Sequence, residues 1–128
     1  MPTRNRYGII GPILPQTLSA EGVKAAIASN PLVKQGIDPT PVHAIITNST
    51  YDGLTYNVTR VEELLGESVD RLHFDEAWYG YARFNPLYSG RHAMHGDPSD
   101  HDKSKPTVFA TQSTHKLLAA LSLSLIHI

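Results

Sequence analysis

Two short runs, Val42-His43-Ala44-Ile45-Ile46-Thr47 and Asp70-Arg71-Leu72-His73-Phe74-Asp75, decide the fold. The first is apolar and rich in β-branched residues. Pro39 and Pro41 precede it, and the polar turn Asn48-Ser49-Thr50-Tyr51-Asp52-Gly53 follows. That is the pattern of a strand buried on both faces, as in a parallel sheet. Between the two runs, residues 57–67 read as a helix with Val58, Val61, Leu64 and Leu65 on one face and Gly66 near its end. Strand, helix and strand in such close succession make a βαβ unit. Outward from this unit, Thr107-Val108-Phe109-Ala110-Thr111 is a third strand candidate, and residues 113–122 read as a short helix. Ser19 caps a second helix that carries Val23, Ala26 and Ile27 on one face and ends before Asn30-Pro31. The Gly and Pro residues among 4–15 predict an extended buried loop. Residues 89–106 predict a long polar loop. The alternation of strands and helices gives an α/β class with a mostly parallel sheet and flanking helices.

Composition narrows the function. The chain has 128 residues, 41% of them hydrophobic, which suits one small domain and rules out charge-driven disorder. With no cysteine there is no disulfide framework, thiolate metal site or cysteine nucleophile. A net charge of −1 offers no electrostatic footprint for nucleic acid or an anionic membrane. No apolar stretch reaches the length of a membrane span, and the first residues lack a secretory core, so a cytoplasmic protein is expected.

Two places carry chemistry, both at predicted C-terminal ends of strands, where open α/β sheets put their ligands. One is His73-Phe74-Asp75-Glu76-Ala77-Trp78, in which Asp75 leaves the strand among apolar neighbours and needs a cationic or hydrogen-bonding partner. The other is Thr111-Gln112-Ser113-Thr114-His115-Lys116, which places two hydroxyls, an imidazole and an amine on the opening turn of a helix. A lysine there is expected to be shielded from water, as a nucleophilic amine requires. Alone, the aspartate reads as a helix cap and the second stretch as an ordinary helix start. Together they supply what pyridoxal phosphate needs: a lysine for the Schiff base and an acid for the pyridinium nitrogen. His92, His95 and His101, with Asp97, Asp100 and Asp102, have the composition of a metal site. Their irregular spacing outside any helix favours a solvated loop, and no metal is expected. Residues 48–52 serve either as a turn or as the lining of a cofactor cleft, and Glu62 and Glu63 as the wet face of a helix.

Four collinear stretches resemble the bacterial pyridoxal-phosphate-dependent Orn/Lys/Arg decarboxylases. They are Pro2-Thr-Arg-Asn-Arg-Tyr-Gly-Ile-Ile-Gly-Pro12, Ile46-Thr-Asn-Ser-Thr-Tyr-Asp-Gly53, the run from Asp70 to Pro86, and the run from Thr111 to Ser122. The resemblance implies part of an aspartate-aminotransferase-like large domain (fold type I) with pyridoxal 5'-phosphate as cofactor. It implies that Lys116 carries the cofactor, that Asp75 pairs with its pyridine nitrogen, that His115 and Ser113 lie at its phosphate, and that Trp78 packs in the site. Tyr79-Gly80-Tyr81-Ala82-Arg83-Phe84 is most similar to the acid-inducible arginine decarboxylase branch, so arginine, converted to agmatine and carbon dioxide, is favoured over lysine or ornithine. The family builds its sites across a homodimer or higher oligomer.

The same resemblance implies that residues 1–122 are an internal piece of a longer major domain, inactive alone. The alternative of another class is a truncated paralogue without activity that serves as partner subunit to a full-length decarboxylase. Leu123-Ser124-Leu125-Ile126-His127-Ile128 departs from the family pattern and is what a transposon-end sequencing adapter encodes. Residues 123–128 are therefore expected to be a non-native tail. Sequencing the source locus through codon 122 is expected to show a frame that continues without those six residues. A stop codon directly after Ile128 would overturn this and favour the partner-subunit reading.

Overall fold

A computed structural model describes residues 4–34, 36, 40–117 and 125–127. The elements in chain order are α1 (Pro15–Leu18), α2 (Ala20–Ala28), β1 (His43–Thr47), α3 (Val58–Leu65), β2 (Arg71–Asp75), β3 (Thr107–Ser113), α4 (Thr114–Leu117) and β4 (Leu125–His127). The sheet order is β1-β2-β3-β4. The first three strands run parallel and β4 pairs antiparallel to β3. This is the α/β class with a mostly parallel sheet that the sequence predicts. Residues 123, 124 and 128 of the expected tail lie outside the described residues, and 125–127 form β4. The predicted helix over 113–122 is described only as α4, with Ser113 closing β3 and 118–122 outside the described residues.

Local signals place the helices. Ser19 Oγ accepts the Gly22 amide at the start of α2, and Asn57 Oδ1 accepts the Arg60 amide at the start of α3, so each cap satisfies one of the helix's orphan donors. The stripe Val58, Val61 and Leu65 is buried against one face of the sheet. There it meets Ile46, Leu72, Phe74 and Leu18, with Ala44, Val108, Ile13 and Val23 at the margin.

The opposite sheet face departs from expectation. β1 is an edge strand, and His43, Ile45 and Thr47 are exposed, with Ile45 at 64%. Phe109 on β3 is 42% exposed. The run 42–47 is therefore buried on one face only, because all of its packing helices lie on the side of Ala44 and Ile46. Residues 4–10 also correct the sequence reading. They form an exposed turn rather than a buried loop, closed by an Arg4–Ile10 bridge and by Asn5 Oδ1, which accepts the Tyr7 and Ile9 amides. Gly8 supplies the positive φ of 79° that this turn needs. Within 89–106, predicted as polar, His92 is buried, and its desolvation holds the imidazole below the ordinary histidine range.

Phe74→Ala removes a fully buried ring and is expected to cost about 3–5 kcal/mol. Phe109→Ala should cost less than half as much. Urea unfolding of the two variants checks this, and equal losses would contradict the open face.

Candidate functional site

The strand register sets the site. Thr47, Asp75 and Thr111 are paired neighbours across β1, β2 and β3, so they form one row on the open face at the C-terminal ends of the strands. Backbone bonds carry the pairing one residue further: the Asn48 amide donates to Asp75 O at 2.8 Å and the Glu76 amide to Thr111 O at 3.0 Å. Side chains alternate across a strand. Asp75 and Glu76 therefore leave the sheet on opposite faces.

Asp75 faces a cleft of about 590 Å³, within the range of small-molecule sites. Its walls include Pro12 and Ile13, the turn residues Ser49 to Asp52, Trp78 and Lys116. Asp75 Oδ1 accepts the Ala77 amide at 3.2 Å, which turns the chain after β2 and brings Trp78 to the wall. Lys116 Nζ stands 5.1 Å from the centre of the Trp78 ring, within cation–π range, and Tyr51 meets the same indole edge-on at 5.2 Å. The expected shielding of Lys116 is not found: the residue is exposed, because the cleft is open above it. Trp78 Nε1 is buried with no partner among the described residues.

Three sequence candidates, Asp75, Trp78 and Lys116, thus share one cleft. Ser113 and His115 do not line it. Ser113 is buried with Oγ 3.0 Å from His115 Nδ1, and His115 is exposed. Beneath the row, His73 Nε2 lies 2.6 Å from Thr111 Oγ1. Of the alternatives left for residues 48–52, Ser49 to Asp52 line the cleft, whereas Asn48 is fully buried behind it. Among the described residues no group of His, Asp and Glu is placed to hold a metal, and no helix is long and apolar enough to cross a membrane.

Sequence reasoning missed Glu76. It is fully buried, and its carboxylate accepts three donors: Asn48 Nδ2 at 2.7 Å and the Ala93 amide at 2.8 Å on Oε1, and Gln112 Nε2 at 2.9 Å on Oε2. The signal was the alternation of two, which puts Glu76 on the buried face after Leu72 and Phe74. Desolvation by burial lifts its carboxyl from 4.5 to about 7, against the pull of the three hydrogen bonds, with the nearby Asp75 charge adding to the rise.

The chain matches the family described as Orn/Lys/Arg decarboxylase, major domain, over residues 1–128. It is 55% identical to the biodegradative arginine decarboxylase of Escherichia coli strain K12, covering 100% of this chain and 17% of that protein. It is 50% identical to a lysine decarboxylase of Pseudomonas aeruginosa, covering 99% of this chain and 16% of that protein. The solved constitutive lysine decarboxylase of E. coli superposes with a TM-score of 0.79 at 42% identity, over 99% of this chain and 16% of that one. The chain thus spans about a sixth of the length of these relatives.

The folded chain holds the Glu76 proton to higher pH than the unfolded chain does. The stability this contributes is fully present below about pH 4.5 and is lost as pH rises to about 7. Urea midpoints of the native chain and Glu76→Gln, compared from pH 4.5 to 8, should show the native chain losing ground to the variant as pH rises. A constant difference would mean that Glu76 titrates as an ordinary carboxylate.

With the family's motifs standing on an α/β frame that superposes on a solved relative, the chain belongs to the Orn/Lys/Arg decarboxylase family.

Proposed function

We propose that these residues form the centre of a pyridoxal 5'-phosphate-dependent basic amino-acid decarboxylase, acting on arginine to release agmatine and carbon dioxide. The observation that carries the reading is the convergence of a carboxylate, an indole and a primary amine, Asp75, Trp78 and Lys116, on one cleft. The residues fit the cofactor's chemistry. The cleft offers an exposed amine that could engage an aldehyde and a carboxylate that could counter the charge of a protonated ring nitrogen, and Trp78 Nε1 is a buried donor with no partner among the described residues.

When bound, the cofactor supplies an electron sink for the pair left at Cα as carbon dioxide departs. Lys116 would hold the cofactor through its amine and would stand where a proton can be delivered to Cα in place of the departed carboxylate. Asp75 would hold the ring nitrogen in its protonated form through opposite-charge stabilisation, the form in which the ring can take up that electron pair. Trp78 packs the cleft wall and restrains the Lys116 side chain through its ring face. Ser113 and His115, already hydrogen-bonded to each other, are assigned to the phosphate. Arginine is supported by the 55% identity to the arginine enzyme and by the 79–84 run. Lysine is the second reading, favoured by the 50% relative and the superposed structure. The proposal includes assembly as a homodimer or higher oligomer in the cytoplasm, and activity of the complete enzyme rather than of 128 residues.

In the full-length protein containing these residues, borohydride reduction should fix the cofactor on the Lys116 peptide, and Lys116→Ala should abolish both label and decarboxylation. Asp75→Ala should retain the label while kcat falls by about 10²–10³-fold. Unchanged turnover in Asp75→Ala, followed by carbon dioxide release from arginine and lysine, would overturn its role.

A further inference from the structure

Behind the cleft, three polar side chains take the next position on the buried sheet face after an apolar row. Ile46, Phe74 and Ala110 are paired neighbours on β1, β2 and β3, and all are buried. Two residues on along each strand stand Asn48, Glu76 and Gln112, again all buried. Glu76 is the hub, bound to Asn48 on one side, to Gln112 on the other and to the Ala93 amide in front. Asn48 extends the tie, donating also to Arg91 O at 2.9 Å and accepting the Tyr56 amide at 3.0 Å. One carboxyl group therefore links the ends of three strands to the 91–93 segment.

Each member adjoins a residue of the cleft. Glu76 directly follows Asp75, Asn48 lies between the cleft residues Thr47 and Ser49, and Gln112 stands four residues before Lys116. From this geometry, and resting on the decarboxylase reading above, we infer that Glu76 is a positioning residue. Its carboxyl holds the strand ends in register so that Asp75 and Lys116 keep their spacing across the cleft. Placement of reacting groups is steeply consequential: a shift of about 1 Å can cost about a hundredfold in rate. The raised carboxyl fits the arrangement, since Gln112 Oε1 has no partner among the described residues. Reversal of the Gln112 amide would let that oxygen accept a hydrogen bond from the protonated Glu76 carboxyl, so the link survives in either protonation state. The same reversal lets a glutamine at position 76 replace the carboxyl.

The test uses the full-length protein loaded with pyridoxal phosphate. Readouts on the folded fraction are the cofactor's visible absorbance band, borohydride labelling of Lys116, and kcat and KM measured separately. Glu76→Ala is expected to shift or weaken the band and lower kcat by about ten- to a hundredfold with KM little changed. Glu76→Gln should restore most of the band and of kcat. If Glu76→Ala does not fold, Gln112→Leu, which removes the single donor to Oε2, decides instead and should move band and kcat in the same direction. A folded Glu76→Ala or Gln112→Leu protein with the native band and native kcat, altered only in unfolding temperature, would reduce Glu76 to a structural role and overturn the inference. A native protein that takes no label at Lys116 would overturn the decarboxylase reading, and the inference with it.

Discussion

The contact on which the rest depends is a carboxylate in the interior with a hydrogen-bond donor on every side. Glu76 has no exposed surface, and an unpartnered carboxyl there would cost several kcal/mol. The fold supplies partners from three separate segments: Asn48 after β1, Gln112 within β3, and the Ala93 amide in the long connection. None of these donors can leave without stranding the charge. The ends of β1, β2 and β3 are thereby obliged to stay together, in a region where Asn48 and Glu76 already stand beyond the last ladder pair of their strands. The apolar core that begins one row earlier on the same face, built from Ile46, Leu72, Phe74 and the stripe of α3, holds the sheet to its helices but gives no directional constraint at the cleft. Burial fixes the layer, and the polar row fixes the register at the site.

The sheet is asymmetric in a way that separates the two tasks. One face carries all the described helical packing. The other presents Ile45, Phe109 and Thr47 exposed and His73, Asp75 and Thr111 partly open. Among the described residues β1 has a strand partner on one side only. Strand alternation then divides neighbouring acids between environments. Asp75 goes to the side where a ligand can reach it, and Glu76 to the side where it meets only protein. Two carboxyls one residue apart take opposite roles through geometry alone.

Elements with strong local signals were legible in the sequence. The β-branched run at 42–47, the cap at Ser19 and the α3 stripe all depend on contacts within a few residues, and they fell where expected. An acid and an amine at the ends of neighbouring strands were also legible, and both line one cleft because topology brings the C-terminal ends of parallel strands to one side. What sequence reasoning misjudged depends on non-local cover. Whether β1 is buried on one face or two, whether 4–10 is packed, and whether Lys116 is screened are decided by what lies opposite. The residue types at those positions suit either outcome. Glu76 was overlooked for a different reason. A charged residue beside a conspicuous Asp75 invites a surface or turn assignment, although the alternation from Leu72 through Phe74 already pointed it inward.

The arrangement at the cleft follows from that division. The amine and the acid that line the cleft come from different chain segments. Asp75 ends β2, and Lys116 comes just after the adjacent parallel strand β3. Their separation is therefore set by one inter-strand step plus the short path from Gln112 to Lys116. The Glu76–Gln112 bond spans that same step from behind the sheet. Ring contacts act from the front, where Lys116 rests over the Trp78 face and Tyr51 closes on the indole. Held from both sides, an exposed lysine can keep a defined position without being buried. The cofactor role proposed for Lys116 thus rests on its placement and not on burial.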